Sequence, residues 1–430
     1  MKIYLDTIGC RLNQSEIESM ARGFRAAGHE IVGSPALADM AVVNTCAVTN
    51  DAAAESRGRI RGIARAGVQD IVATGCWATL QPKEAAALPN VLQVVSNNHK
   101  DSLVAETLNL QPPSFHLHSY DLEPLARQPL PGLHRRTRAF IKVQDGCDNH
   151  CTFCITTVAR GAGRSRPVVD VLLDVRSALE GGTKEIVFTG VHLGSWGKDF
   201  GKHLRDLVKA ILRETDTPRL RLSSLEPWDL DAEFFGLWKD SRLMPHLHLP
   251  LQSGCDATLK RMARKTTPDS FRRLVAAARR VMPDVSITTD IIAGFPGETE
   301  DEFAESLAFV REMEFAGGHV FTYSSRPGTG AARMKGHVHP DVRKRRNHIL
   351  REALDESEKS YWRKFLGRSM SVLWESTSEL DEWGWQMQGL TGNYLRVKAS
   401  AASPRWNEID QVTIQESSPE GLKGVILNTG

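Results

Sequence analysis

Apolar and polar positions change rhythm several times along the chain. Short apolar runs, KIYLDTIG at 2–9, MAVVNT at 40–45 and DIVATG at 70–75, alternate with amphipathic stretches over 13–27 and 51–66. Runs of this length bounded by turn residues read as buried parallel strands, and the stretches between them fit the right-handed crossovers of βαβ units. Residues 1–110 are therefore expected to form an open parallel α/β sheet. Over 111–133 the periodicity fades and Pro112, Pro113, Pro124, Pro129 and Pro131 accumulate, the composition of a semi-rigid linker. Between 134 and 366, apolar runs at 139–143, 185–189, 220–223, 246–251, 286–293 and 320–324 alternate with helical stretches at 168–179, 204–213, 232–239, 268–281 and 302–313. That alternation predicts a (β/α)6 partial barrel. From 367 to 430 short strand-like runs separated by turns predict a small five-stranded antiparallel barrel.

Composition adds less. With 430 residues and 41% hydrophobic content the chain can bury several cores. A net charge of +2 neither requires nor excludes a nucleic-acid partner. No stretch approaches the roughly 18 apolar residues that span a bilayer, and MKIYLDTIGC lacks a basic region leading into a long apolar run. A cytoplasmic protein without a membrane partner is expected.

The seven cysteines change the picture. An odd, small number suits a reducing compartment and metal or redox use. Residues 147–154 read CDNHCTFC, placing Cys147, Cys151 and Cys154 in the spacing C-x3-C-x2-C after the first barrel strand. Three soft thiolates can hold three irons of a [4Fe–4S] cluster and leave the fourth free to bind a substrate. A zinc site favours paired C-x2-C knuckles with a second pair downstream, and the sequence has none. Cys10, Cys46 and Cys76 each follow one of the first three apolar runs. Parallel strands of one sheet end on the same edge, so these thiols should converge on the crevice where open α/β sheets take ligands. A second three-cysteine cluster is expected there.

At this point the motifs carry a resemblance. TIGCRLNQSE, the two further strand-end cysteines, CDNHCTFC with Arg160-Gly161 and Arg164-Ser165-Arg166, then SSLEP, LPLQSG, AGFPGET and YSSRPGT together resemble the methylthiotransferase family of radical S-adenosylmethionine (SAM) enzymes. The opening Thr7-x-Gly9-Cys10-Arg11-x-Asn13-Gln14-x-Glu16 resembles the branch that modifies threonylcarbamoyladenosine in transfer RNA. One departure is Ile155-Thr156-Thr157, where the family commonly has a proline.

The resemblance implies two [4Fe–4S] clusters. The one on Cys147, Cys151 and Cys154 would chelate SAM and cleave it to methionine and a 5′-deoxyadenosyl radical. The one on Cys10, Cys46 and Cys76 would carry sulfur and deliver a methylthio group to carbon 2 of N6-threonylcarbamoyladenosine. It further implies SAM contacts: Phe153 and Phe295 near the adenine, Thr189-Gly190-Val191 near the amino group, and Gln252-Ser253 near the ribose or carboxylate. Gly190, Gly294 and Gly297 serve equally as tight-turn residues. Implied partners are a transfer RNA with adenosine 3′ of the anticodon, an electron donor such as flavodoxin or ferredoxin, and a sulfur donor. The last segment resembles the TRAM RNA-binding domain, in which Trp374, Trp383, Trp385, Tyr394 and Trp406 could stack on bases beside Arg396, Lys398 and Arg405, although so small a core also needs buried aromatics.

Several residues read as structural. Cys255 is expected to be a buried or loop thiol, and His246 and His248, alternating on a strand, core or supporting histidines. RKRRNH at 343–348 is expected on a solvated helix face, and Arg57, Arg59, Arg61 and Arg65 raise the same choice between solvent and phosphate. Three alternatives remain: the isopentenyladenosine branch, an aspartate of a ribosomal protein as acceptor, and a nonenzymatic iron–sulfur RNA-binding protein.

Overall fold

A computed structural model of the chain describes residues 1–109, 137–382, 384–418 and 421–427. The proline-rich 111–133 and Trp383 lie outside the described residues. The N-terminal unit is a five-stranded sheet in the order β2-β1-β3-β4-β5, comprising β1 (Lys2–Thr7), β2 (Glu30–Val32), β3 (Met40–Thr45), β4 (Asp70–Thr74) and β5 (Val91–Val95). Every pairing in it is parallel. Its crossovers are α1 (Arg11–Ala26) and α2 (Asn50–Arg65), and a short α3 (Gly75–Leu80) follows β4. Thr49 starts α2 by accepting the Ala52 N–H at its side-chain oxygen, one of the donors a helix start leaves unsatisfied. β3 is buried along its whole length, as a central strand covered on both faces must be.

The second unit has six parallel strands in chain order: β6 (Arg138–Lys142), β7 (Glu185–Thr189), β8 (Arg219–Leu222), β9 (His246–His248), β10 (Ser286–Ala293) and β11 (Gly317–Thr322). Two parallel bridges, Leu220 to Leu243 and Ser224 to His248, join the two three-stranded halves. Among the described residues β6 and β11 do not pair, so the barrel stays open on one side. All six expected strands are present, with local differences. β9 stops at His248 because Pro250 offers no N–H and Gln252 is left-handed at φ 73°. β11 begins at Gly317 because Gly317 and Gly318 pair with Thr288 and Thr289 rather than forming a turn. The expected helix 232–239 is α-helical over Ala232–Phe235 and 3-10 over Gly236–Lys239, where glycine enters. The helix Glu300–Glu312 starts two residues early because Thr299 and Glu302 form a capping box.

The N-terminal unit occupies the open side of this barrel. Lys142, ending β6, donates its N–H to Ser15 Oγ of α1 at 3.0 Å, and Arg326, beyond β11, bonds Asn50 of α2. A long helix, Pro340–Arg363, leads to the third unit, a closed barrel in the order β12-β13-β14-β16-β15, from β12 (Ser369–Asp381), β13 (Gly384–Thr391), β14 (Arg396–Ala401), β15 (Ile409–Ser418) and β16 (Gly421–Ile426). Its β14–β16 pair is parallel, whereas an all-antiparallel barrel was expected. Five strands cannot alternate direction around a closed ring, so one pair must run the same way. This unit caps the amino ends of the central barrel's strands: Arg219 donates to Leu390 O at 3.0 Å and to Ser371 O at 2.9 Å.

Candidate active site

The loop 147–154 leaves β6 without regular structure and is pinned from several sides. Cys147 N–H donates to Gly161 O at 3.0 Å, Thr152 N–H donates to Met262 O at 3.0 Å, and Ala331 N–H donates to Thr152 O at 2.8 Å. Gly146 has φ 69°, and a Cβ there would lie 1.9 Å from Ala162 O, so only glycine can lead into the loop. Each of the three sulfurs has an N–H aimed at it: Asn149 N–H at 3.4 Å from Cys147, Arg264 Nη1 at 3.8 Å from Cys151, and Thr156 N–H at 3.4 Å from Cys154. Burial pushes the Cys151 thiol up to about 11 despite Arg264. Arg264 itself is fixed by Glu226 through a two-armed pair at 3.1 and 2.7 Å. The SSLEP motif contains Glu226, so this support was visible in sequence though its partner was not. His192, which sequence reasoning missed, pairs with Asp229 and meets Asn149 Nδ2 at 3.2 Å. Burial lowers its pKa, but Asp229 and Cys147 outweigh that and hold it at about 9.

The second set assembles at the sheet edge. Thr7, Asn44 and Thr74 stand in register on adjacent strands, and Cys10, Cys46 and Cys76 lie just beyond them. A Cβ on Gly9 would come within 2.8 Å of Cys46 Sγ, which records how closely the Cys10 turn approaches Cys46. Gly75 (φ 93°) has Thr45 O only 2.3 Å from where a Cβ would be. Asn97 Nδ2 lies 3.7 Å from Cys76 Sγ. Cys46 and Cys76 are buried while Cys10 is exposed. Burial, with Cys10 and Cys76 adding, pushes the Cys46 thiol up to about 11. Cys255, as expected, is a buried thiol apart from both sets.

A buried ionic cluster links the two. Arg160, in the helix α4 (Thr156–Arg160) after Cys154, bonds Glu16 Oε1 at 2.7 Å, Asp145 Oδ1 at 3.0 Å and Asn13 Oδ1 at 2.7 Å. Lys100 Nζ meets the other Glu16 oxygen at 2.7 Å. Burial alone would raise the Glu16 carboxyl, but Lys100 and Arg160 hold it far below the usual range. Asn97, beside Cys76, also donates to Ala159 O at 2.8 Å.

A cavity of about 1020 Å³ runs between the three units, lined by Cys10 and Cys46, by Thr189, Gly190, Ser223, His246 and Asp290 of the barrel, and by Tyr394 and Arg396 of the third unit. Of the residues expected around SAM, Thr189 and Gly190 line it, with Val191 next in the turn. A Cβ on Gly190 would lie 3.0 Å from Gln144. Phe153 and Phe295 meet edge-to-face at 6.5 Å, and Phe295 is wholly buried. Gln252 pairs by backbone with β10, its N–H donating to Asp290 O at 2.8 Å, and buried Ser253 accepts the Cys255 N–H at 3.2 Å. His246 and His248 share Thr288 Oγ1, at 3.2 and 3.0 Å, as same-face histidines should.

The third unit's aromatics differ from one another. Trp374 is buried with its indole N–H on Asp410, and Arg405 is paired to the same aspartate, so neither presents a base-stacking face. Tyr394 is half-buried in the cavity floor, stacked on His246 at 4.4 Å. In the 343–348 run, Arg346 departs from a solvated face: it is buried on Glu298 at 2.7 Å. Arg59 pairs with Asp6 and Glu55.

Residues 141–310 match the Radical SAM superfamily, and residues 2–96 match the uncharacterized protein family UPF0004. The chain is 37% identical to threonylcarbamoyladenosine tRNA methylthiotransferase MtaB of Thermotoga maritima, over 98% of this chain and 96% of that one. The protein of the same name from Bacillus subtilis is 34% identical, over 95% and 92%. A tRNA-2-methylthio-N(6)-dimethylallyladenosine synthase of Bacillus velezensis is 31% identical, over 99% and 86%. Among solved structures, the radical SAM methyltransferase TsrM of Kitasatospora setae shares the fold at a TM-score of 0.56 and 15% identity, over 77% of this chain and 76% of that one. With both sequence modules matched and relatives aligned end to end, the chain belongs to the radical SAM tRNA methylthiotransferase family, in its threonylcarbamoyladenosine branch.

Proposed function

We infer that this chain is a transfer-RNA methylthiotransferase that adds a methylthio group to carbon 2 of N6-threonylcarbamoyladenosine beside the anticodon, with SAM as radical source and methyl donor. The observation that carries the reading is the single cavity onto which Cys10 and Cys46 of the N-terminal sheet and Thr189 and Gly190 of the barrel both open. Two chemistries on one base need such a shared space.

The donor sets fit two iron–sulfur clusters: each offers three thiols, the soft ligands such clusters take, and in the first set each sulfur also meets an N–H. Cys147, Cys151 and Cys154 would hold one, and Cys10, Cys46 and Cys76 the other. Bound there, the clusters supply an electron, an open iron for SAM and a sulfur carrier. The protein's part is to position and to exclude. Phe153, backed by the wholly buried Phe295, offers an apolar face to the adenine of SAM, Thr189-Gly190-Val191 and Gln252-Ser253 form the turns beside its amino-acid and ribose groups, and Arg264 and His192 steady the thiolates. The N-terminal unit, seated across the open side of the barrel, keeps water and oxygen from the reacting base. The third unit supplies RNA contacts, and a flavodoxin or ferredoxin and a sulfur donor complete the cycle. Residues 1–110, 134–366 and 367–430 act as three domains in this scheme.

Nucleoside mass spectrometry of transfer RNA from cells lacking the chain tests it. The 2-methylthio-N6-threonylcarbamoyladenosine should vanish and return on complementation. Loss of an isopentenyl-type nucleoside instead would overturn the branch. Loss of a ribosomal-protein modification with transfer RNA untouched would overturn the substrate class.

A further inference from the structure

Arg11, the neighbour of Cys10, lines the cavity and donates from Nη2 to Tyr394 Oη at 2.7 Å, its guanidinium 5.3 Å from the tyrosine ring centre. It makes no ion pair among the described residues. Around the same ring stand Arg221 at 4.9 Å and Arg138 at 5.8 Å, and both have a buried Nη1 without a hydrogen-bond partner. Their carboxylates are already engaged: Glu185 takes Arg221 at 2.7 and 3.0 Å, and Glu375 takes Arg138 at 2.6 Å. Arg219, also buried here, reaches Glu185 only at 3.9 Å. Four guanidiniums, Arg11, Arg138, Arg219 and Arg221, thus share two carboxylates at the cavity floor. The remaining acids of the cavity are committed elsewhere or on another wall, Asp290 on His248 at 3.3 Å, and Asp355 and Glu358 along the long helix.

A sheltered surplus of positive charge favours an anion from the ligand. Tyr394 holds a left-handed backbone (φ 69°), unusual for a side chain of its size, and the structure maintains it through Thr391 and through Asn393, which donates to Tyr361 Oη at 3.0 Å. The strain brings its hydroxyl to Arg11. A threonylcarbamoyl group carries one carboxylate, and a dimethylallyl group carries no charge.

We propose that Arg11, aimed by Tyr394, receives the threonyl carboxylate of the substrate nucleoside and makes the enzyme select it. The proposal rests on the function inferred above. Arginine suits the task because its planar fork grips a carboxylate with two parallel N–H bonds. A site built for such a group discriminates strongly against an analogue lacking it, because its own polar atoms are then left unpaired. In this scheme Tyr394 is a positioning residue, and Arg138 and Arg221 supply background field.

The test uses the anaerobically reconstituted full chain and two anticodon stem-loop RNAs, one with the threonylcarbamoyl carboxylate free and one with it converted to the neutral carboxamide. Both kcat/KM for methylthiolation and Kd by fluorescence anisotropy are measured. Wild type should prefer the acid by about 100-fold in kcat/KM. Arg11→Gln should bring the two RNAs within roughly threefold of each other in both measures, Arg11→Lys should keep part of the preference, and Tyr394→Phe should weaken it mainly through KM. A fold defect would weaken both RNAs alike and leave the acid-to-amide Kd ratio unchanged, and an unchanged ratio in Arg11→Gln overturns the proposal. Equal use of acid and amide by wild type also overturns it while sparing the functional reading. Activity on neither RNA, with activity on a dimethylallyl stem-loop, brings down the functional reading and the proposal together.

Discussion

Arg160 and Glu16 form a fully buried ion pair at 2.7 Å that ties the helix following the first cysteine set to the first helix of the N-terminal sheet. Removing one partner of such a pair strands a charge without water, which costs about 3–5 kcal/mol. Arg160→Met should lower stability toward urea by that order, and the Arg160→Met, Glu16→Gln double variant should recover part of it. The Glu16 carboxyl is depressed in the fold, so its contribution is present above its ordinary value of 4.5 and is lost as acid drives pH down through the folded value. Additive losses in the double-mutant cycle would remove the coupling.

Iron content separates the two sulfur sets. Changing Cys147, Cys151 and Cys154 together to Ala should remove about half of the roughly eight irons of the reconstituted chain and abolish SAM cleavage. The Cys10, Cys46, Cys76 triple variant should lose the other half yet still form 5′-deoxyadenosine, with no methylthiolated nucleoside. Full iron retention in that second variant would end the case for a second cluster.

Gly75 offers a gentler probe of the same edge. Its φ of 93° and the 2.3 Å approach of Thr45 O mean that Gly75→Ala must displace the end of β3, which leads directly to Cys46. Strain of this kind should cost at least about 2 kcal/mol and preferentially reduce the iron held by the N-terminal set. Wild-type melting together with wild-type iron would count against the tight packing of that corner.

Glu358, in the cavity wall, is pushed up to about 7 by burial, with Asp355 adding and Arg396 opposing. A carboxyl whose pKa is raised on folding contributes stability below its ordinary 4.5, and that contribution is lost as pH rises through about 7. Glu358→Gln, neutral at every pH, should therefore raise stability at pH 8 by roughly 1–3 kcal/mol and change little at pH 5. Thermal melts at the two pH values check this, and an equal shift at both would show that the carboxyl does not titrate in that window.

Much of the architecture was legible in the chain itself. Parallel strands buried on both faces, such as MAVVNT, carry a local signal of continuous apolar residues, and a cysteine placed just after such a strand has its edge determined by strand direction alone. The C-x3-C-x2-C loop was equally plain, since its ligands are close neighbours in sequence. Strand ends were less secure where glycine or proline served pairing or blocked it, as at Gly317 and Pro250. What only the tertiary structure decided was which side chains meet across units. Tyr394 reads in sequence as a base-stacking aromatic, yet it lies in the cavity floor against Arg11, 383 residues away. Arg160 and Glu16 stand in motifs the sequence displays, but nothing in the sequence pairs them with each other or with Lys100, and together the three form a sealed cluster. Residue type sets what a side chain can do, whereas burial and partner come from how separately folded layers dock. That docking leaves no periodicity for the sequence to display.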